Sequence, residues 1–310
     1  MKEKKRFHYG GQAVIDGVMM RGQKTVAVAV RRPDGEIEIK HEPLSPLYSG
    51  KFRRIPFIRG VIVLIETLVI GTQTLFYSAQ VASIEDSEEQ LSSAVLWGTV
   101  LISMAFAVAI FFLTPYAITH YLIFPNIESA FVGNILEGVI RMALFIAYLA
   151  AINMIPDIRT VFAYHGAEHK AVNAYESGEP LEIEYVKKYP TAHRRCGTGF
   201  LLVVMIIAIL VFALLGKPPL WAGILSRIVL IPVIASISYE IVQFSAAHSN
   251  NIVFRALLAP GLMLQSMTTR EPDEKQMETA VRALKEVVKS DTGEDTAENE
   301  DQSISSLPNS

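Results

Sequence analysis

Long apolar runs constrain this chain more than any other feature. Residues 94–117 read AVLWGTVLISMAFAVAIFFLTPYA, with no charged side chain. At ~1.5 Å of rise per residue, such a run can cross ~30 Å of hydrocarbon as a helix. A second run covers about 132–155, a third 199–215 and a fourth 220–242. The sequence therefore predicts a mainly α, polytopic membrane protein with four transmembrane helices. The link GKPP after the third run is short enough to make spans three and four a helical hairpin. Pro232 is expected to kink the fourth. Glu137 and Arg141 lie one turn apart and can pair on one face of the second span. Arg227, inside the fourth, needs a partner, and Glu137 is one candidate.

Composition agrees with this reading. The 310 residues are 51% hydrophobic and only 19% charged, and the mean hydropathy is +0.32. These values exclude a disordered polymer, a collagen-like chain and a disulfide scaffold. A net charge of −3 leaves no nucleic-acid footprint. The single cysteine, Cys196, cannot close an intrachain disulfide, which fits soluble parts facing a reducing compartment. The basic start MKEKKRF is followed by no apolar stretch, so a signal peptide is not expected.

Charge asymmetry sets the expected orientation. The link between spans one and two holds no Lys or Arg, and that between three and four holds only Lys217. The link between two and three holds Arg159, Lys170, Lys187, Lys188, Arg194 and Arg195. The N-terminal part holds Lys2, Lys4, Lys5, Arg6, Arg53 and Arg54. By the positive-inside rule, both termini and the loop 157–197 of a multi-pass cell-membrane protein are cytoplasmic.

The remaining segments are read as follows. Ile55–Ala82 carries Arg59, Glu66, Gln73 and Gln80 and is taken as an amphipathic helix on the bilayer surface, within a segment 55–90. Ile252–Met267, interrupted by Arg255 and Pro260, is interfacial or packed on protein. The segment 1–54 is β-rich: Thr25–Arg31 reads as a strand, PDG as a turn, and Glu36–Lys40 alternates. GGQAVIDGVMMRG (10–22) matches neither a Walker loop nor a dinucleotide fingerprint. It is either a turn-rich lead-in or a cover over a site, with Gln12, Asp16 and Arg21 supplying polar contacts. The membrane domain occupies 91–272, an amphipathic helix follows at 273–289, and 290–310 is an acidic tail expected to be disordered.

Chemistry concentrates in the middle loop, in YHGAEHKAVNAYE. His165, Glu168 and His169 form H-x-x-E-H, and positions i, i+3 and i+4 share one helix face. Two imidazoles one turn apart can close on one divalent ion, with the carboxylate between them as base. This is the inverted-zincin arrangement. Asn173 and Glu176 extend the same stripe. The plainer alternative is a polar helix face at the bilayer surface. A catalytic zinc needs a third ligand. Glu240, at the cytoplasmic end of the fourth span, is one candidate, against a surface Glu paired with Arg255 or a lysine. His248 lies two turns from it. His193 and Cys196, in AHRRCGTGF, are further candidates, although a cysteine before a span is commonly a small packed residue. Asp157 is expected to cap the helix that carries His165.

Taken together, GGQAVIDGVMMRG, IPFIRGVIVLIETLVIG, YHGAEHKAVNAYE and HRRCGTGF resemble the YqhQ-like bacterial membrane proteins, domain-of-unknown-function family 1385. The resemblance runs over about residues 8–285. It implies a predicted metal-dependent enzyme of the bacterial inner membrane. The family pattern has Glu where this chain has Asp16, so the carboxylate is kept one methylene shorter.

Three functions follow as expectations. The first is a membrane-embedded metal-dependent hydrolase, most naturally with zinc. His165, His169 and Glu240 or Glu176 are its ligands and Glu168 its base, and it acts on a membrane protein or a lipid headgroup ester. The basic residues 187, 188, 194 and 195 suit an anionic headgroup. The second is a non-enzymatic scaffold or assembly factor with a structural metal, its extra ligands drawn from His193, Cys196 or His248. The third is a transporter using Glu137, Arg141 and Arg227, which four spans without paired broken helices fit poorly.

Overall fold

The computed structural model describes residues 7–50, 55–83, 92–123, 125–216, 219–248 and 251–293. It is mainly helical, with one small antiparallel sheet near the N-terminus. Four strands, β1 (Gly10–Val14), β2 (Gly17–Arg21), β3 (Thr25–Arg31) and β4 (Ile37–Pro43), form a meander in sequence order. The glycine-rich segment is thus two paired strands. They turn at Ile15–Asp16, where Asp16 takes a left-handed φ of 47° that aspartate tolerates. Gly17 must be glycine, because a Cβ there would lie 2.3 Å from the Ala29 carbonyl oxygen on β3.

Strand β3 alternates valine and alanine, and its two faces do different work. Val26, Val28 and Val30 pack with Val14, Met19, Leu44 and Val81 on the face toward α2 (Ile58–Ala82), which follows the short helix α1 (Pro46–Ser49). Ala27 and Ala29 pack on the other face, against α6 (Pro156–Glu176) and α11 (Glu274–Thr292). Small side chains there let two helices lie close to the sheet. Helix α6 answers with Ala167, Ala171 and Ala174, all fully buried. Helix α11 has Asp273 in a capping box and Gly293 past its end at φ 83°.

The apolar runs form helices. Residues Ala94–Ile123 are one continuous 30-residue rod. It comprises α3 (Ser93–Val108), α4 (Thr114–Ile118) and two π-turns, Ala109–Leu113 and Thr119–Ile123. Pro115 has no N–H to give the carbonyl of Phe111. Arg141 Nε, from α5 (Ala130–Ile152), donates to that oxygen at 2.9 Å. Arg141 also pairs with Glu137 at 2.6 Å, both buried. The suggested Glu137–Arg227 pair lies outside the described residues, because the Arg227 side chain does, as does that of Arg255. Helix α7 (Ile183–Val186) interrupts the middle loop. Then come α8 (Gly197–Ala213), α9 (Leu220–Ala247, containing Pro232) and α10 (Ile252–Thr268).

Among the described residues, three helices are long and apolar enough to cross a membrane: Ile58–Ala82, Ala94–Ile123 and Ala130–Ile152. The expected spans and surface helix map onto these three only in part. The stretch read as surface-lying, 55–82, meets the length and composition of a span. The third expected span falls on a shorter apolar helix, Gly197–Ala213, and the fourth lies within the 28-residue α9, Leu220–Ala247. Seventeen residues of α8 rise only about 25 Å, less than the ~30 Å hydrocarbon core. The basic residues 2, 4, 5, 6, 53, 54 and Lys217, and the acidic tail from 294, lie outside the described residues.

Candidate metal centre

Helix α6 begins at Pro156, whose fixed φ suits the first helical position, and Ile155 is its N-cap. Asp157 is therefore not the cap; it sits in the first turn, where its charge favours the helix dipole. Two turns further on, the His165 and His169 rings lie one turn apart, with centroids 4.4 Å apart and planes inclined at 57°. Each ring is locked by its Nδ1. His165 Nδ1 meets the Thr268 carbonyl at 2.8 Å and His169 Nδ1 meets the Thr191 carbonyl at 2.5 Å. A carbonyl only accepts, so both Nδ1 atoms carry the proton and both Nε2 lone pairs are left to ligate.

The third member is Cys196, whose Sγ lies 3.3 Å from His165 Nε2. Ligating atoms of His165, His169 and Cys196 all lie within 4.8 Å of one another, and among the described residues this is the one such group. Cys196 is the N-cap of α8, and the Thr198 N–H donates to its sulfur. A helix N-terminus suits an anionic sulfur ligand. Glu168 completes the centre. Its Oε1 accepts from the Gly11 N–H at 3.0 Å, and its Oε2 stands 4.0 Å from His165 Nε2 and 3.9 Å from His169 Nε2. His169, Glu168 and Cys196 are buried.

The returning loop holds this arrangement. Asn173 Nδ2 donates to the carbonyls of Pro190 and Ala192, and Lys170 Nζ donates to that of Lys187 at 3.0 Å. Lys170 also pairs with Glu271 at 2.6 Å. Asn173 is thus a fastener between helix and loop. Gln265 on α10 grips His193 from both sides, accepting its N–H at 3.0 Å and donating to its carbonyl at 2.8 Å.

The other expected site residues stand elsewhere. Glu240 is taken by Arg59, through both carboxylate oxygens, and by the Phe57 N–H. Cys196, not Glu240, lies within reach of the two imidazoles. Glu176 pairs with Arg195 and His8, with His193 Nε2 at 3.6 Å. Burial works to raise its pKa, but the His193 hydrogen bond and the Arg195 charge outweigh it and hold the carboxyl at about 2. Glu176 therefore tethers the His193–Cys196 segment. His248 is exposed at the end of α9, against Phe244 and Phe254. Asp16 remains in the β1–β2 turn, its carboxyl pushed up by burial and by the charge of Asp157. Gln12 abuts Gly71, and Arg21 pairs with Glu66 at 2.8 Å, so both face α2. The covering role of residues 10–22 falls instead to a backbone group, the Gly11 N–H.

No motif in the sequence marks Thr191, Thr268 or Gln265. The first two act through main-chain carbonyls, for which residue identity carries no signal. Gly11 also acts through its main chain, and its glycine is the signal of close backbone approach: a Cβ on Gly11 would lie 2.3 Å from the Met19 carbonyl oxygen and 3.0 Å from Glu168 Cγ.

Comparison with known proteins bears on the whole chain. A family model described as "Protein of unknown function (DUF1385)" matches residues 55–290. The chain is 33% identical over 301 residues to "Uncharacterized protein YqhQ" of Bacillus subtilis (strain 168), covering 91% of this chain and 92% of that one. No solved structure gives a significant match. The chain belongs to the DUF1385, YqhQ-like family.

Proposed function

We propose that this member of the YqhQ-like family is a membrane-embedded, metal-dependent hydrolase whose ion is held by His165, His169 and Cys196. The observation that carries the reading is the pair of Nδ1 contacts to Thr268 and Thr191. They turn two imidazole lone pairs toward one thiol and one carboxylate. Outer contacts of this kind are characteristic of ligating histidines. Two nitrogens and one sulfur form a borderline-soft donor set that suits zinc, and three protein ligands leave a fourth position open. When bound, such an ion supplies Lewis acidity and makes water nucleophilic near neutral pH.

The chain's own groups supply the rest. Gly11 fixes Glu168 Oε1, so Oε2 keeps one orientation beside both Nε2 atoms. There it accepts a proton from water and returns it to the leaving group. Substrate is a bond presented at the membrane surface, in a protein or a lipid headgroup.

The proposed topology keeps four spans: the rod Ala94–Ile123, α5, α8 and α9. The loop 157–197 and both termini are cytoplasmic by charge asymmetry. Helix α2 lies along the surface in this arrangement. Glu66, Gly71, Tyr77, Ser78 and Val81 of α2 engage the sheet or its turns. Its other flank exposes Ile65, Leu68, Val69 and Leu75. A helix roofed by a sheet over half its length is not ringed by lipid.

A second reading is a scaffold with a closed, structural metal site. The near-equal distances of Glu168 Oε2 from both Nε2 atoms favour it, since that oxygen is placed to serve as fourth ligand. Both readings require the ion. Treating detergent-purified protein with phenanthroline is expected to lower its Tm, and zinc to restore it, whereas magnesium does not. Metal at 1,000-fold above its Kd contributes about 4 kcal/mol, a shift on the order of 10 °C. A Tm indifferent to chelator and zinc contradicts both.

A further inference from the structure

The sheet has two edges, β1 and β4, and they are built differently. Strand β4 carries Glu38, Lys40 and Glu42 and ends on Pro43, the usual guards against pairing with another chain. Strand β1 reads GGQAV, with neither a charge nor a proline. Nothing in its composition keeps another strand away. We infer that the outer edge of β1 takes an extended polypeptide as a fifth strand, and that a peptide bond of this guest is what the metal centre cleaves.

The inference rests on the hydrolase reading and narrows its substrate to protein. Backbone groups of an edge strand point alternately into the ladder and outward. The Gly11 N–H reaches outward to Glu168 Oε1 at 3.0 Å, and the Ile15 N–H to Ser78 Oγ at 3.2 Å. Ala13 lies between them in the same phase, so its N–H and C=O face outward too. Neither meets another group of the chain among the described residues, nor does the Gly11 C=O. One donor and two acceptors are thus offered within about 7 Å of strand. Another backbone matches them, with N–H groups for the two carbonyls and a carbonyl for the N–H. A lipid ester has carbonyls but no N–H alternating at that spacing.

This edge leads to the metal centre. In a complete ladder the Gly11 N–H would go to the guest, but Glu168 holds it. Pairing therefore ends at Gly11. The next peptide group of the guest lies against the carboxylate whose Oε2 stands 4.0 and 3.9 Å from the two Nε2 atoms. Gly11 is exposed although Glu168 behind it is buried, so a guest can reach this point. Gly10 fits the same account. Its φ is not positive, and a Cβ there would meet nothing within 4 Å. Nothing inside the chain calls for glycine at this position, although glycine weakens a strand. A bare backbone leaves room for another chain to approach. In the reaction, water adds its oxygen to the guest's carbonyl carbon and passes one proton through Glu168 Oε2 to the departing nitrogen. The C–N bond breaks, leaving a carboxyl group and an amine.

The test uses cells that lack the protein and carry wild type, Glu168→Gln or Ala13→Pro. Protein N-termini are mapped by mass spectrometry in each, beside the phospholipid composition. We expect N-termini that depend on wild type and vanish with Glu168→Gln. Ala13→Pro removes an outward N–H and leaves the ladder intact. It should keep wild-type metal content and Tm while these N-termini fall about fivefold, the worth of one hydrogen bond. A synthetic peptide spanning the mapped bond then carries N-methyl groups residue by residue, which tests the edge whether or not Ala13→Pro folds. N-methylation should raise KM about fivefold at two residues spaced i and i+2, and leave it unchanged at the residue between. An even response along the peptide, or full cleavage by a folded Ala13→Pro, overturns the proposal. So does an Ala13→Pro variant that cleaves normally and instead loses a homodimer, which would make a second chain the occupant. Phospholipid changes that depend on Glu168, without new N-termini, overturn the peptide substrate and keep the hydrolase. No change in either overturns both.

Discussion

Glu168→Gln is expected to bind metal at wild-type stoichiometry, to melt with wild type, and to fail to replace the wild-type protein in cells that lack it. The substitution is close to isosteric. The amide oxygen of glutamine can still accept the Gly11 N–H that holds Glu168 Oε1 at 3.0 Å. What is lost is the negative charge at Oε2 and its capacity to take a proton. Removing a positioned general base costs about 10²–10⁴-fold in rate, enough to abolish function in a cell. The scaffold reading makes the opposite forecast. With Glu168 Oε2 as fourth ligand of a closed site, the amide is a weaker donor, so a structural centre should lose metal affinity and Tm in this variant. Full function in Glu168→Gln therefore removes the catalytic role, and inactivity accompanied by metal loss would move Glu168 into the ligand set.

Gly166→Ala carries the largest structural effect. Gly166 sits between His165 and Ala167 on α6, where the segment after α10 crosses the helix. A Cβ there would lie 2.0 Å from the Arg270 carbonyl oxygen and 3.2 Å from Thr191 Cγ2. Neither neighbour yields freely. The Arg270 N–H is bonded to the Phe162 carbonyl at 2.9 Å, and the Thr191 carbonyl holds His169. Overpacking of this kind costs about 1–3 kcal/mol, or more where backbone must move. The displaced strands of chain are those whose carbonyls orient both imidazoles. Loss of such outer contacts lowers metal affinity about 10–100-fold. Gly166→Ala should thus lower both Tm and zinc affinity. Gly197→Ala, one residue from Cys196 but with nothing within 4 Å of its Cβ, should change stability by less than ~0.5 kcal/mol. Equal behaviour of the two variants contradicts the packing described here.

The contrast between those glycines shows what the sequence could carry. Local periodicity was enough to place the apolar helices, the strand Thr25–Arg31 and the H-x-x-E-H face, because each depends on near neighbours along the chain. The strand β4 runs to Pro43, beyond the alternating Glu36–Lys40, because register against β3 continues to Thr25. Strands β1 and β2 were hidden by glycines that usually mark turns. They are needed here for close approach between strands, as the Ala29 carbonyl beside Gly17 makes plain.

Long-range choices were less legible. Glu240 stood ahead of Cys196 as third ligand in the sequence, since a cysteine before a span is commonly a small packed residue. Two contacts decide between them. Arg59, on a helix read as separate, captures Glu240, and Asn173 and Gln265 draw the 187–196 loop back over α6 until Cys196 meets His165. Neither contact follows from spacing. The same holds for the carbonyls of Thr191 and Thr268, which any residue would supply. Helix α2 has the apolar length of a span, yet its polar residues Glu66 and Ser78 point at the sheet. Its environment was set by partners far along the chain rather than by hydropathy.

The central claim is that His165, His169 and Cys196 hold one ion, and metal analysis of the purified protein tests it most directly. Wild type should carry about one transition-metal ion per chain, zinc by its donor set. The count should fall to background in His165→Ala/His169→Ala, and in Cys196→Ala to a fraction restored only by excess zinc. Wild-type protein that holds no metal after reconstitution with zinc, or a double-histidine variant that holds as much as wild type, would contradict the account and leave H-x-x-E-H as a polar helix face.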